Sequence, residues 1–286
     1  MLFRKVLLAS PACLLVLAAV LITTATPQLE AQNAAGRAGA PRAGATQAAI
    51  PRTANGKPNL QGIWQVRNRA SYDLQDHVAR YGMPAGTGVV EGKEIPYLPA
   101  AAARKAENFA NRATRDPLAS CFMPGVPRIM YMEWPFQIFQ TAEAVAMTFE
   151  WTQVHRLIYT NGSKPPQGIE FWMGDSRGRW QGDTLVVDVT NHNDKTWFDA
   201  AGNFHSDALK LVERYTMTNA DTIDYEVTID DPKVFSRPWK IRMPLHRHTD
   251  VTRLLEYQCK AEQSEANGEF TRDPLTWYPP SPTRKP

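Results

Sequence analysis

The sequence predicts a mainly β domain, an antiparallel meander that closes into a barrel or forms a strongly curved sheet. Apolar and polar residues alternate from about residue 128 onward, most clearly at Ile223, Tyr225, Val227 and Ile229. Turn residues separate about nine or ten such runs, and the connections are too short for crossover helices, so neighbouring strands are expected to pair antiparallel. A β-sandwich is the alternative, because alternation alone does not distinguish one closed sheet from two packed sheets.

The N-terminal part of the chain has the organisation of a secretory signal peptide. Arg4 and Lys5 precede an apolar run over residues 6–22, and small or polar residues follow it. We expect a signal peptide over residues 1–25, cleaved between about residues 25 and 31, with an uncleaved membrane anchor as the alternative. The mature protein is therefore expected to be periplasmic or secreted, with no membrane span after cleavage.

The remaining chain divides into three parts. Residues 32–55 contain almost no large apolar side chains and are expected to form a disordered linker. Residues 56–265 are expected to form a single β-rich domain, and residues 266–286 an irregular C-terminal tail. Strong helix formers follow Pro99, which predicts one flanking helix over about residues 100–113.

A Gly-x-Trp pattern marks the first strand. Gly62 and Trp64 lie within a short apolar run that begins the domain. The same pattern occurs near the first strand of lipocalin-like barrels, where the Trp closes one barrel end. A lipocalin-like barrel is therefore the expected form of the closed sheet, with an ordinary core Trp as the alternative.

The charge distribution excludes some partners. The chain has a formal net charge of +3, but residues 1–56 contribute +4 and the rest contributes −1. A domain this close to neutral lacks the basic field that phosphate binding needs, so nucleic acid is not an expected partner. Neither a P-loop nor a dinucleotide-binding glycine pattern occurs, and no cofactor is expected.

Two cysteines remain after the expected cleavage, Cys121 and Cys259. An exported protein reaches a compartment that permits disulfides, so we expect these two residues to be bonded. Buried free thiols or a metal-binding role are the alternatives.

The densest group of chemically capable residues follows a predicted strand that ends near residue 190. The next loop presents Asp194, Lys195, Asp199 and His205 close together in sequence. His205 titrates near neutral pH, either carboxylate could orient its imidazole, and Lys195 or Arg214 could stabilise an oxyanion. This set suits proton transfer in elimination, hydration or isomerisation. In the structural alternative, Asp194 caps a turn, Lys195 is solvated and His205 bonds a backbone carbonyl.

The aromatic residues in the first half of the sheet indicate an apolar pocket for a small organic molecule. The candidate ligand-binding residues are polar or aromatic positions on the strands and the loop: Gln137, Gln140, Glu150, Arg156, Trp197 and Arg214. The first four are expected to face inward and to give specificity, whereas Trp197 has a core position as its alternative.

Two further patterns are weaker. His246 and His248 lie on one face of a predicted strand and could chelate a metal, but no third ligand is identifiable and a surface pair is the alternative. Residues 174–178 match G-x-S-x-G around Ser176 by letter, yet they lie in a predicted hairpin rather than in a strand-to-helix turn. A hydrolase nucleophile is not expected there.

Longer motifs give a family resemblance. The chain reads G-R-W-x-G-D-T-L-V-V-D over residues 178–188, N-D-K-T-W-x-D over 193–199 and H-S at 205–206. In these motifs it resembles a family of exported bacterial proteins, and the resemblance extends from about residue 58 to Cys259. The chain departs from the pattern at Val189, at residues 203–204, and at His192, which replaces an aromatic. The resemblance implies export and a β-rich fold, and it implies no particular reaction.

The leading functional hypothesis is an exported β-barrel that binds a small, partly apolar organic molecule and carries acid–base activity of the lyase, hydratase or isomerase type. A non-enzymatic ligand-binding or envelope-interaction module is the alternative. A metalloprotein based on His246 and His248 is the third hypothesis.

Overall fold

The protein forms a closed β-barrel of nine strands that follow one another in chain order around the barrel. The structure is a computed structural model, and it describes residues 49–268. The prediction of a closed barrel is confirmed over the β-sandwich alternative. The expected signal peptide, most of the expected linker and most of the expected C-terminal tail lie outside the described residues.

The strands are short before the middle of the chain and longer after it. Their bounds are β1 Gly62–Val66, β2 Phe136–Gln140, β3 Ala144–Phe149, β4 His155–Tyr159, β5 Asp175–Gln181, β6 Thr184–Thr190, β7 Lys210–Asn219, β8 Thr222–Asp230 and β9 Trp239–Arg247. The runs that the sequence predicts around residues 185, 223 and 239 correspond to β6, β8 and β9.

Helices occur in two parts of the described chain, between β1 and β2 and after β9. Between β1 and β2 lie α1 (Pro99–Ala110) and α2 (Arg112–Arg115), followed by 3₁₀ helices at Pro117–Ser120 and Arg128–Tyr131. The helix predicted over about residues 100–113 is therefore present, with an interruption at Asn111. The sequence does not predict α3 (Cys259–Ala266), which follows β9. Within residues 49–268, no helix has the length and apolar character needed to cross a membrane.

Eight of the nine neighbouring strand pairs are antiparallel, and one pair, β4 with β5, is parallel. The expectation of an entirely antiparallel meander was wrong at this point. Strand direction cannot alternate all the way around a closed ring of an odd number of strands, so one pair must be parallel. That pair has only two positions in register, Ile158 with Ser176 and Tyr159 with Arg177.

On β3, β7, β8 and most of β9, alternation places one face inside the barrel. On β8, for example, Ile223, Tyr225, Val227 and Ile229 are fully buried. A barrel of about eight strands has an interior just wide enough for side chains to fill. Large side chains such as Tyr225 therefore occupy the interior at these positions.

Trp64 lies beside the last residue of β9. It pairs across strands with Arg247, whose guanidinium lies 4.3 Å from the centroid of the Trp64 ring. The Trp64 side chain is fully buried, and its Nε1 donates to the carbonyl of Leu60 at 2.8 Å. This residue therefore joins the segment before β1 to the end of β9.

The disulfide predicted between Cys121 and Cys259 is confirmed. The bond joins the segment after the 3₁₀ helix Pro117–Ser120 to the first residue of α3, across a sequence separation of 138 residues. The Gln263 side chain supports the junction by donating to the carbonyl of Ala119 at 2.7 Å. The free-thiol and metal alternatives for these cysteines do not apply.

Candidate functional site

Asp199 is the buried centre of the loop after β6. Its carboxylate accepts hydrogen bonds from the backbone N–H of Leu74 at 2.8 Å and from the backbone and side-chain amides of Asn203 at 3.1 and 2.5 Å. Burial, reinforced by the nearby Asp73, raises the pKa of Asp199 to about 7. Asp199 therefore holds two backbone segments together.

His205 is oriented by its own loop. Its Nδ1 lies 2.9 Å from the carbonyl oxygen of Ser206, and a carbonyl only accepts, so Nδ1 carries the hydrogen. Nε2 consequently accepts from the Thr196 hydroxyl at 2.6 Å. Burial lowers the pKa of His205, which favours the neutral ring. The predicted orientation of this ring by Asp194 or Asp199 is corrected, because the loop supplies both hydrogen-bond partners; the catalytic role of His205 stays a prediction.

The other loop candidates lie in different environments. Asp194 and Lys195 are exposed, and the Lys195 ammonium lies 5.8 Å from the centroid of the Trp172 ring. Trp197 is buried and forms a backbone bridge with Phe204, which places it in the core. The structure therefore separates the exposed charges of the loop from the buried ring of His205.

Three polar residues expected to face inward do not. Gln137 lies on the outer face of β2, because its neighbours Phe136 and Ile138 take the inner positions. Gln140 holds the segment before β1 by accepting from Leu60 and donating to Pro58, at 2.8 and 3.1 Å. These two side chains do not line the barrel interior.

The third of these residues, Glu150, accepts a hydrogen bond from the backbone of Leu255 at 2.9 Å and so holds the segment before α3. Arg214 also points outward, and its guanidinium lies 3.4 Å from the Gln181 side chain. On β7 the inner positions on either side of Arg214 belong to Glu213 and Tyr215, so Arg214 lies on the outer face.

Arg156 does face inward, and it forms the centre of a buried polar network with Glu213. Its Nη1 donates to Glu213 Oε1 at 3.0 Å, its Nη2 donates to Glu213 Oε2, and its Nε donates to Ser176 at 3.1 Å. The hydroxyls of Tyr215 and Tyr225 donate to Glu213 Oε1 at 3.0 and 2.6 Å. Because its members bond one another, this network holds the barrel interior rather than offering groups to a ligand. The inward position of Glu213 between Leu211 and Tyr215 was the sequence signal for it.

His192 is a functional candidate that the sequence analysis noted only as a departure from the family pattern. The residue is fully buried, and neither ring nitrogen has a hydrogen-bond partner among the described residues. Burial, assisted by His205 and then Arg156, lowers the pKa of His192 well below its ordinary value. The ring is therefore neutral and offers one donor and one acceptor. Its centroid lies 5.7 Å from that of His205.

A surface groove of about 530 Å³ includes His192 in its wall. Three chain segments line it: residues 168–170 before β5, residues 190–192 at the end of β6, and residues 207–210 at the start of β7. Three smaller described pockets, of about 350, 340 and 220 Å³, include no buried polar side chain that lacks a partner. The groove is therefore the strongest candidate site in the described part of the chain.

The wall of the groove is fixed by Asn191, which has a left-handed backbone conformation with φ of +59°. Its side-chain amide donates to the carbonyls of Pro166 and Ile169 at 2.7 and 2.9 Å, and its own carbonyl accepts from Phe171 at 2.8 Å. These bonds hold residues 166–171, here called the strap, beside His192. Gly174 permits the close approach, because a Cβ there would collide with the His192 ring.

His246 and His248 gain no third ligand in the structure. His246 lies on the outer side of β9, between Gln65 and Thr222 on the adjacent strands. Among residues 49–268, no three His, Cys, Asp or Glu side chains are grouped so as to hold a metal ion. The geometry therefore gives the metalloprotein hypothesis no support beyond this pair.

The fold and the groove together define a closed β-barrel protein with a polar surface groove beside a buried, neutral histidine. Searches of protein-family models, curated proteins and solved structures find no match to this chain. The family suggested by the sequence motifs is therefore carried forward as a proposal.

Proposed function

We propose that this chain is an exported small-molecule-binding protein of the motif-defined family, and that its ligand binds in the groove beside His192. The observation that carries the proposal is the buried imidazole whose two nitrogens have no partner among the described residues. A buried donor or acceptor left unsatisfied costs about 1–3 kcal/mol. A ligand that bonds to His192 would offset part of that cost.

The size and the lining of the groove support the same proposal. Ligand sites usually have volumes of about 300–1,000 Å³, and this groove has about 530 Å³. Ile169 and Ala208 supply apolar surface, whereas Glu170 and Lys210 supply charge. This combination suits a small, partly apolar organic molecule. The disulfide supports export, because such bonds persist in oxidising compartments.

We assign binding and no reaction. The ring of His205 is buried and both of its nitrogens already have partners, so the geometry favours a structural role over proton transfer. The envelope-interaction module stays the alternative, and it is distinguished by the absence of a bound small molecule.

The test is native mass spectrometry of the mature protein, exported in a bacterial host and purified without chelator. The unmodified chain is compared with His192→Phe and with His246→Phe, a matched change at the outer side of β9. We expect a bound small molecule in the unmodified chain and in His246→Phe, and its loss from His192→Phe.

Two outcomes contradict the proposal. Retention of the molecule by His192→Phe places the site elsewhere. If none of the three proteins carries a bound molecule, and a fragment screen by ligand-observed NMR also finds no binding, the envelope-interaction module is favoured instead. The mass of the mature chain tests export at the same time, because cleavage between about residues 25 and 31 removes a defined number of residues.

A further inference from the structure

We propose that the ligand of this groove is a small zwitterion with an aliphatic body, bound through its carboxylate by Lys210 and through its ammonium group by Glu170. This inference rests on the proposed function, and it names the chemical class that the groove recognises. A free aliphatic amino acid and a short aliphatic peptide share this chemistry.

The first step is the charge inventory of the groove. Three charged residues line it, Glu170, Asp207 and Lys210. Asp207 is neutralised by Lys233, whose ammonium lies 2.6 Å from its carboxylate. Glu170 and Lys210 are exposed and form no ion pair with any described residue. The groove thus presents one unpaired charge of each sign.

The second step is that these two charges do not neutralise each other. Glu170 belongs to the strap and Lys210 begins β7, so they lie on different segments that line one space. A ligand with a single charge would meet one favourable partner and one like charge. A zwitterion satisfies both, and charge matching of this kind gives specificity more than affinity.

The third step is the uncharged remainder of the lining. His192 adds no charge to the lining, because burial lowers its pKa and keeps the ring neutral. Ile169 and Ala208 form the accessible apolar part, and about half of Ile169 is exposed. A ligand with an aliphatic side group therefore fits this part of the groove better than a sugar does.

The experiment titrates the mature chain by NMR with three dipeptides: Leu-Leu, N-acetyl-Leu-Leu and Leu-Leu amide. Free L-leucine is a fourth probe that distinguishes an amino acid from a peptide. The protein variants are Glu170→Gln and Lys210→Met. Glu143→Gln and Lys260→Met are matched changes of exposed charges outside the groove.

We expect the zwitterionic probes to bind, and each groove variant to weaken them by about two- to fivefold, the size of an exposed ion pair. Glu170→Gln should not affect the acetylated dipeptide, which has no ammonium group. Lys210→Met should not affect the amide, which has no carboxylate. The two control variants should bind all probes as the unmodified chain does.

Equal binding of the capped and uncapped dipeptides would overturn the inference. So would recovery of a non-zwitterionic molecule that His192→Phe releases, although the proposed function would then stand. If no molecule binds at His192 at all, the proposed function and this inference fail together.

Discussion

The Arg156 guanidinium and the Glu213 carboxylate form an ion pair inside the barrel, with 2% and 0% of their side chains exposed. Transferring two charges out of water costs several kcal/mol per ion, and the attraction between them offsets this only when the remaining hydrogen-bonding groups are satisfied. Ser176, Tyr215 and Tyr225 satisfy them here. The pair therefore fixes which side chains meet across the barrel.

Removing one partner of this pair should be severe. We expect Glu213→Leu to lower the free energy of unfolding by about 3–5 kcal/mol, because Arg156 keeps a buried charge without a counter-ion. The double variant Arg156→Met with Glu213→Leu should recover most of the loss. Urea unfolding followed by tryptophan fluorescence measures both.

An exposed ion pair on the outer face provides the control. Arg242 and Asp224 lie 2.7 Å apart with 55% and 26% of their side chains exposed. Asp224→Leu should destabilise the protein much less than Glu213→Leu, because water screens this pair. If Glu213→Leu and Asp224→Leu were equally stable, the buried pair would contribute no more to stability than the exposed pair does.

Asp199 should make stability depend on pH. Its pKa is about 7 in the folded protein against an ordinary value of 3.8, so the folded state binds the proton more tightly. The stabilising contribution of the protonated carboxyl is complete below pH of about 4 and is lost as the pH rises through about 7. Asp199→Asn should lack this decline. Urea unfolding at several pH values between 4 and 8 gives the free energy of unfolding of both proteins. The same change of this free energy with pH in both proteins would contradict the expectation.

Gly62 should not tolerate a side chain. Its φ is +134°, a backbone conformation that residues with a Cβ rarely adopt, and an added Cβ would also displace the far end of the Arg247 side chain, which lies over Trp64. We expect Gly62→Ala to lower the free energy of unfolding by about 1–3 kcal/mol. Gly182→Ala is the control, because its φ is +59° and nothing lies within 4 Å of the added Cβ. The Gly62 variant should therefore have the lower Tm.

The disulfide should stabilise the fold by constraining the unfolded chain. Replacing Cys121 and Cys259 together by serine should cost on the order of 2–5 kcal/mol, because the bond closes a long loop. Adding a reductant to the unmodified chain should give a similar loss once the bond is reduced. A double variant of unchanged stability would indicate that the segment around α3 is held by its other contacts alone.

Alternation predicted which residues face the barrel interior but not which of them meet. Tyr225 and its neighbours on β8 follow directly from the period of two. Arg156 and Glu213 lie on β4 and β7, which are not neighbouring strands, so their pairing depends on closure of the sheet. Sequence separation carries no information about a contact across a closed barrel.

The site was predicted less well than the fold, for local reasons. His192 depends on the left-handed conformation of Asn191 and on the strap beside it, and neither follows from a periodic pattern. His205 has its partners in Thr196 and the Ser206 carbonyl, so the structural alternative from the sequence, a bond to a backbone carbonyl, describes it better than orientation by Asp194 or Asp199. Gln137 was misplaced although its apolar neighbours already indicated an outward position.

The parallel β4–β5 pair has a dynamic consequence. With two positions in register, this boundary has the least backbone bonding of the strand pairs, and such regions open locally at the lowest free energy. The strap lies in the connection between these two strands, so both of its ends lead into the least strongly paired strands of the barrel. We expect local opening there to move the strap away from His192 while the other eight strand pairs stay intact, so that a ligand in the groove reaches the buried imidazole without unfolding of the barrel.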